Sequence, residues 1–371
     1  MKKRILHVLR PVEGGIKEHV KLLSEKLCPY YQVIIACPSG TNLAKVLEKR
    51  GIQVISFELK GDISPWSDFK NVLNLAKTLE KDKVDLLHLH GYKAGFVGRL
   101  ASLLCRDIPV VLTLHNYRDY QQESILPSFC FTSVEKILSR KTDIIVTVSQ
   151  ALRKDLLNNL AIEERKVVNI YNGINYSDYG NVQERLLKSE ILVGTAARLA
   201  PQKGIEDFLE AAKLVLQQKN NKRIKFFIAG EGPLRKKLEK QAVKLGLKEN
   251  VFFLGHVEDM PGYLSSLDIF VLPSRHEGLS ITLLEALAAR RPVVATKTGG
   301  IPEIVVHGVT GYLVPPAQPL PLAEGIERLN KDFKLRSSLA LKGQKMVKEN
   351  FGLEIMVERT RALYEKLLAG I

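Results

Sequence analysis

Between Arg275 and Leu287 the chain reads Arg-His-Glu-Gly-Leu-Ser-Ile-Thr-Leu-Leu-Glu-Ala-Leu, with seven residues between two carboxylates, Glu277 and Glu285. Ile269–Leu272 has the composition of a short buried strand, Pro273-Ser274 ends it, and Ser280 is a natural N-cap for a helix over Ile281–Ala289. Glu277 then lies in the loop before the helix, and Glu285 lies about one and a half turns inside it. A helix start offers unpaired N–H groups and a partial positive charge, which suit a phosphate or pyrophosphate. Carboxylates suit the adjoining task of accepting hydrogen bonds from sugar hydroxyls. The plainer reading makes Glu277 a solvated loop charge and Glu285 a surface helix residue.

Other loops carry compatible chemistry. Arg198 and Lys203 flank a proline turn (Ala197-Arg-Leu-Ala-Pro-Gln-Lys-Gly204) after an apolar run. Two cations turned to one point neutralise a diphosphate without a metal. Gly14-Gly15 precedes a helix, where glycine lets backbone N–H groups approach an anion. The spacing is not G-x-G-x-x-G, so the nicotinamide-dinucleotide fingerprint is missing. Ala229-Gly-Glu-Gly-Pro233 and Lys297-Thr-Gly-Gly-Ile-Pro-Glu303 are further glycine-rich strand-to-helix turns. His88 and His90 alternate onto one strand face, and His115 follows another apolar strand. A metal site is conceivable there, but with no cysteine or acidic cluster beside them, imidazoles acting as hydrogen-bonding groups are the expectation, and no metal ligand is assigned.

The elements that must position these residues alternate along the chain. Strands are expected at Ile5–Leu9, Val33–Ala36, Gln53–Phe57, Leu86–Leu89, Val110–Leu114, Ile144–Val148 and Val167–Ile170, with helices such as Lys17–Leu27, Asp68–Glu80, Ala94–Cys105 and Ala151–Asn158 between them. The pattern dissolves into polar residues from about Asn175 to Ser189, the best linker candidate. It restarts with strands at Leu192–Ala196, Lys225–Ile228, Val251–Leu254, Ile269–Leu272 and Val293–Ala295. Alternating strands and helices imply parallel sheets covered on both faces, whose ligands bind at strand C-terminal ends. Leu353–Leu368 reads as a final helix.

At 371 residues the chain exceeds one typical core, so two domains are expected. A hydrophobic content of 45% and a charged content of 26% describe a soluble globular protein. The apolar run after Met1-Lys2-Lys3-Arg4 is too short for a signal peptide, and no later run approaches a membrane span. Cys28, Cys37, Cys105 and Cys130 form no C-x-x-C pair and read as reduced thiols of a cytosolic protein. The net charge of +15 fits nucleic acid, anionic lipid or phosphorylated small molecules, or serves solubility alone. Without an arginine-rich tail or a nucleic-acid motif, nucleic acid is not an expected partner, whereas an anionic membrane surface is.

Taken together, these residues resemble the retaining, nucleotide-sugar-dependent glycosyltransferases of family 4 (group 1). Glu277-x7-Glu285 matches that family's signature. Its companions follow in order: Gly14-Gly15 with His19-Val20, His115, Val148-Ser149, Tyr171-Asn-Gly-Ile174, Arg198 and Lys203, Gly230-Glu-Gly-Pro233, Gly255, and Gly299-Gly-Ile-Pro-Glu303. The match runs from about residue 5 to 365. The resemblance implies an α/β GT-B fold, two Rossmann-like parallel-sheet domains facing across a cleft. An acceptor-side domain would span residues 1–174 and a nucleotide-sugar domain 175–352, with helix 353–371 crossing back to the first. Arg198 and Lys203 would hold the diphosphate, and Gly15 would offer its backbone to the distal phosphate, with Gly14 beside it in the substrate site. Glu285 would bind the ribose, Glu277 would contact the transferred sugar, and His115 would lie by its reacting face. Gly278, Leu279, Ser280, Glu303, Gly230 and the loop with His256, Val257 and Glu258 would border the donor.

The implied function is retaining transfer from a UDP- or GDP-sugar, as substrate and with no cofactor or metal, to a sugar or lipid-linked acceptor hydroxyl in envelope polysaccharide or glycolipid synthesis. The expected location is cytoplasmic, peripheral on the inner face of the membrane. The alternatives are a nucleotide-sugar epimerase on the same scaffold and a non-catalytic nucleotide-sugar or anionic-surface binding protein. Two departures stand out: the family often has Asp at Asn175, and Gly-Asp where Ala317-Gln318 follow the paired prolines. No Asp-x-Asp metal signature of the other major glycosyltransferase fold is present.

Overall fold

A computed structural model describes residues 2–11, 14–59, 64–116, 128–160, 162–179, 190–218, 221 and 223–370, the side chains of 128–133 excepted. It divides into two units: the first holds residues up to Asn172 together with those from Glu354 onward, and the second is Gly173–Leu353.

The first unit carries β1 (Arg4–Leu9), β2 (Gln32–Cys37), β3 (Gln53–Ser56), β4 (Leu86–His90), β5 (Val110–Leu114), β6 (Ile144–Thr147) and β7 (Val167–Asn169). All pair in parallel, in the order β3-β2-β1-β4-β5-β6-β7. Its helices are α1 (Gly15–Leu27), α2 (Asn42–Lys49), α3 (Pro65–Lys81), α4 (Gly91–Ser102), α5 (Ser128–Ser139) and α6 (Gln150–Asn159).

The second unit carries β8 (Ile191–Ala196), β9 (Ile224–Ala229), β10 (Val251–Gly255), β11 (Ile269–Leu272), β12 (Val293–Thr296) and β13 (Tyr312–Val314), parallel in the order β10-β9-β8-β11-β12-β13. Its helices are α7 (Ile205–Leu216), α8 (Arg235–Lys244), α9 (Met260–Ser266), α10 (Ile281–Ala288), α11 (Ile301–Ile304), α12 (Pro319–Lys331) and α13 (Phe333–Asn350). α14 (Leu353–Leu368) follows and, from Glu354, joins the first unit.

Central strands are buried along their whole length, β4, β5, β11 and β12 without an exposed residue. That is why they read as continuous apolar runs rather than as alternations. Every strand expected from the sequence is present, its ends displaced by no more than one residue. The structure adds one strand not expected from the sequence, β13, three residues between Gly311 and Pro315-Pro316, too short and too closely flanked by turn residues to announce itself. α4 starts three residues before its expected position, directly at the end of β4.

Both sheets reverse their strand order once, between β1 and β4 and between β8 and β11. Ligands of doubly wound sheets bind outside strand C-termini at such a switch. Of the expected linker, residues 180–189 lie outside the described set, while Asn175 to Tyr179 fold within the second unit. Tyr176–Asp178 is one short helical turn, and Tyr179 is buried. Cys28, Cys37 and Cys105 are unpaired thiols; the Cys130 side chain is not described. Among the described residues no helix is long and apolar enough to cross a membrane.

Candidate functional site

In the second unit the loops after β8 and β11 are laced together at the switch. Gln202 O accepts from the N–H groups of Arg275 (2.8 Å) and His276 (3.2 Å). The Arg275 guanidinium clamps both oxygens of Asp207 on α7, each at 2.8 Å. Gly204 sits between the loops at φ +61°, where a Cβ would stand 2.1 Å from Pro273 O, so only glycine permits this approach. Gly230 does the same after β9: its φ is +124°, a Cβ would meet Ala197 O at 2.0 Å, and its N–H donates to Gly255 O at 2.6 Å.

This scaffold brings Lys203 and Glu277 together. Lys203 Nζ donates to Glu277 Oε2 at 2.6 Å, and Ser274 Oγ donates to the same oxygen at 3.0 Å. Glu277 is 5% exposed, which rules out the solvated loop charge. A carboxylate so buried needs a partner, and Lys203 supplies it. Arg198 is exposed, and its side chain makes no ion pair among the described residues. Ser280 caps α10 as expected, its Oγ accepting from Leu283 N at 3.3 Å. Gly278, Leu279 and Ser280 are buried in the preceding turn, with Gly278 O accepting from Gly300 N at 3.1 Å.

Glu285 is buried, not an ordinary surface residue, and its Oε1 accepts from the Tyr179 hydroxyl at 2.7 Å. Glu303 stands half-buried in the first turn of α11. His256 is exposed and Val257 half-buried after β10, next to Gly255 and so beside the Gly230 turn. Tyr179, Ser274 and Asp207 were not singled out from the sequence. Tyr179 and Asp207 act through contacts 106 and 68 residues along the chain, which residue type alone does not announce, and Ser274 acts within its own loop, three residues before Glu277.

In the first unit, Gly14 takes φ +75° at the N-cap of α1 and Gly15 is that helix's first residue. His115 lies in a buried group of imidazoles: His7 from β1, His19 from α1, and His88 and His90 from β4. The β1–β4 register sets His7 beside His88 and Leu9 beside His90. His7 Nδ1 meets His90 Nε2 at 3.0 Å, and His90 Nδ1 meets His115 Nε2 at 3.2 Å. A neutral imidazole has one donor and one acceptor, so the relay runs one way or the other. Donation from His7 towards His115 leaves the His115 proton on Nδ1; the reverse leaves it on Nε2. Either direction leaves the buried His7 Nε2 unmatched.

His19 Nδ1 meets Asn172 Oδ1 at 3.0 Å, and His88 bridges Thr113 Oγ1 (2.7 Å) and the Tyr364 hydroxyl of α14. Ring nitrogens of His19, His90 and His115, and likewise of His7, His88 and His90, come within 4.8 Å of one another. Most of those nitrogens are already spent on each other, on Thr113 and on Tyr364.

Burial holds all five imidazoles neutral. It lowers His7 to about 3, with the His19 charge adding to the effect, and His19 to about 4 against the opposing Asn172 hydrogen bond. Burial first, then neighbouring histidine charges, hold His88, His90 and His115 well below the usual range. His115 is therefore a neutral hydrogen-bonding group, not a resident cation.

Residues 13–178 match the model "Glycosyltransferase Family 4", and residues 181–346 match "Glycosyl transferases group 1". An uncharacterised glycosyltransferase of Methanocaldococcus jannaschii is 28% identical, with 95% of each chain covered. The capsular polysaccharide biosynthesis glycosyltransferase CapM of Staphylococcus aureus is 25% identical over 84% of each chain. The UDP-Gal:alpha-D-GlcNAc-diphosphoundecaprenol alpha-1,3-galactosyltransferase of Escherichia coli is 26% identical over 84% of each. Among solved structures, Anabaena HepE in complex with UDP and glucose superposes with a TM-score of 0.84 at 22% identity, covering 98% of this chain and 100% of that one.

Proposed function

With a Family 4 glycosyltransferase domain followed by a group 1 domain, the chain is a GT-B glycosyltransferase of group 1 that uses a nucleotide-sugar donor, and from that premise we propose a retaining, metal-independent transfer of the sugar to an acceptor hydroxyl. The observation that carries the reading is the set of charges at the β8–β11 switch: the exposed Arg198 cation, the Lys203–Glu277 pair and the capped start of α10.

In this reading Arg198 and Lys203 take the donor diphosphate, and the Gly278–Ser280 turn adds backbone N–H groups. Glu285, oriented by Tyr179, accepts from ribose hydroxyls. Glu277, with one oxygen held by Lys203 and Ser274, keeps the other for the transferred sugar. Glu303, Gly230, His256 and Val257 border the nucleotide. In the first unit, Gly14 and Gly15 offer backbone to phosphate oxygens, and neutral His115 hydrogen-bonds a sugar hydroxyl.

Breaking the bond from the anomeric carbon to the diphosphate oxygen builds positive charge on the sugar and negative charge on the leaving group. Fixed cations aimed at that group stabilise the transition state more than the ground state. The acceptor oxygen forms its new bond on the face the phosphate leaves, and its proton passes to the departing phosphate oxygen. Protein cations take the role a metal would otherwise fill, so a chelator should leave turnover unchanged.

The donor is a UDP- or GDP-sugar and the acceptor a sugar or lipid-linked glycan; in support, the E. coli relative is named for UDP-Gal and a diphosphoundecaprenol-linked acceptor, and the S. aureus relative for capsular polysaccharide biosynthesis. An epimerase or a non-catalytic binder is disfavoured, since both halves match glycosyltransferase models. A thermal-shift screen over uridine, guanosine and adenosine diphosphate sugars tests the reading: one base family should raise the midpoint in proportion to the logarithm of concentration. No shift with any of them would remove the donor assignment, and an inverted anomeric product would remove retention.

A further inference from the structure

α3 carries two apolar faces. Val72, Leu75, Ala76 and Leu79 are buried and hold the helix on the first unit. On the opposite side Trp66 is 83%, Phe69 58% and Leu73 39% exposed. Their i, i+3, i+7 spacing aligns them in one stripe. The same arc continues with the exposed Lys70, Lys77 and Lys81 against a single acid, Glu80. None of the three lysines is ion-paired among the described residues. Asp68 is turned inward and bound to Lys93 at 2.6 Å, so it does not offset them. Leaving a tryptophan, a phenylalanine and a leucine together in water is unfavourable, and a contiguous exposed apolar stripe marks an interaction surface. Aromatic residues with lysines on one helical face match the boundary between acyl chains and headgroups, where the rings enter and the ammonium groups stay among phosphates. The chain's net charge of +15 has the sign that draws it to an anionic leaflet.

We propose that the outward face of α3 docks the protein on an anionic lipid bilayer, with Trp66, Phe69 and Leu73 entering the interface and Lys70, Lys77 and Lys81 meeting lipid phosphates. This deepens the reading of a lipid-linked acceptor, but the binding itself depends on neither donor nor acceptor.

Trp66 is the only tryptophan in the chain, so its emission reports this face and no other. The full-length protein is titrated with vesicles of equal parts phosphatidylglycerol and phosphatidylcholine. The emission should shift to the blue, become quenchable by lipids brominated along their acyl chains, and revert at about 1 M salt, where the screening length falls to about 3 Å. Phe69→Ser/Leu73→Ser and Lys70→Glu/Lys77→Glu/Lys81→Glu keep the reporter. Each should weaken partition at least about tenfold, with the thermal midpoint and turnover on a water-soluble acceptor unchanged. Emission unmoved by vesicles at low salt overturns the proposal, as does partition of both variants equal to that of the unsubstituted protein. Emission that instead shifts with protein concentration, alongside a dimer in sedimentation, assigns the stripe to a second copy and also overturns it. Absence of sugar transfer with intact vesicle binding would count against the enzymatic reading alone.

Discussion

Arg198 and Lys203 divide the work differently than their shared charge suggests. Arg198 is exposed and pairs with nothing among the described residues, so Arg198→Ala should lower turnover at least about tenfold while the melting curve stays in place. Lys203→Ala removes the partner of a 5%-exposed carboxylate and should therefore cost stability as well, on the order of 2 kcal/mol. Adding Glu277→Gln to that variant should restore the melting midpoint but not the turnover; recovery of both, or of neither, would show that the pair is not the reason. The types and order of Glu277, Glu285, Arg198 and Lys203 are legible in the sequence because strand-to-helix turns announce themselves. The pairing is not, since it depends on two loops 74 residues apart folding onto each other. The histidines behave alike: alternation exposes His88 and His90, but only the β1–β4 register adds His7. Because burial depresses His7 and His19 to about 3 and 4, the unfolded chain binds more protons than the native one below pH 6.5. Stability is thus complete above pH 6.5 and is lost as pH falls, by up to about 2 kcal/mol per histidine between pH 7 and pH 5. Denaturant titrations at those two values read this, and a flat profile would contradict neutral burial.

At the scale of elements, the departure at Ala317-Gln318 has a physical cost that the folded chain displays. Ala317 adopts φ +55°, a left-handed conformation that glycine takes without strain. Gln318 is the N-cap of α12 and makes no side-chain cap hydrogen bond, whereas aspartate would supply one. Ala317→Gly and Gln318→Asp should each stabilise the second unit by about 1 kcal/mol, additively if the cap and the turn are independent, as a shift in the denaturation midpoint. Asn175, the other departure, has a use of its own: its amide donates to Asp178 Oδ1 at 2.8 Å and its oxygen accepts from Ser177 Oγ at 2.9 Å, closing the turn that leads to Tyr179. Strand positions are readable because fully buried parallel strands demand uninterrupted apolar runs. β13 escapes because three residues leave no pattern to detect. The stripe on α3 escapes for another reason: Trp66, Phe69 and Leu73 share helical spacing with an ordinary core face, and only their exposure tells the two apart.

At the scale of the whole molecule, chain order and unit membership disagree. The chain leaves the first unit after Asn172 and returns at Glu354, and the two passages run side by side, with Leu353 N–H donating to Ile174 O at 2.9 Å and Ile174 N–H donating to Phe351 O at 3.1 Å. Gly173 lies against this pairing: a Cβ there would stand 2.8 Å from Gly352 O. α14 lays Met356, Thr360 and Tyr364 onto the first unit, where Tyr364 also packs against Tyr31. Residues 173–353 expressed alone should therefore melt cooperatively, and residues 1–172 alone should expose apolar surface and aggregate. Fusing 354–371 behind residue 172 should restore a cooperative transition; equal behaviour with and without that segment would show the helix to be dispensable. A ribosome delivers α14 only after every residue of the second unit. The first unit, begun before the second, is thus completed after it, and until then its histidine-lined sheet waits without the tyrosine that closes it. Nascent chains stalled before Glu354 should lean on chaperones through their amino-terminal portion, the reverse of the usual order in which early domains settle early.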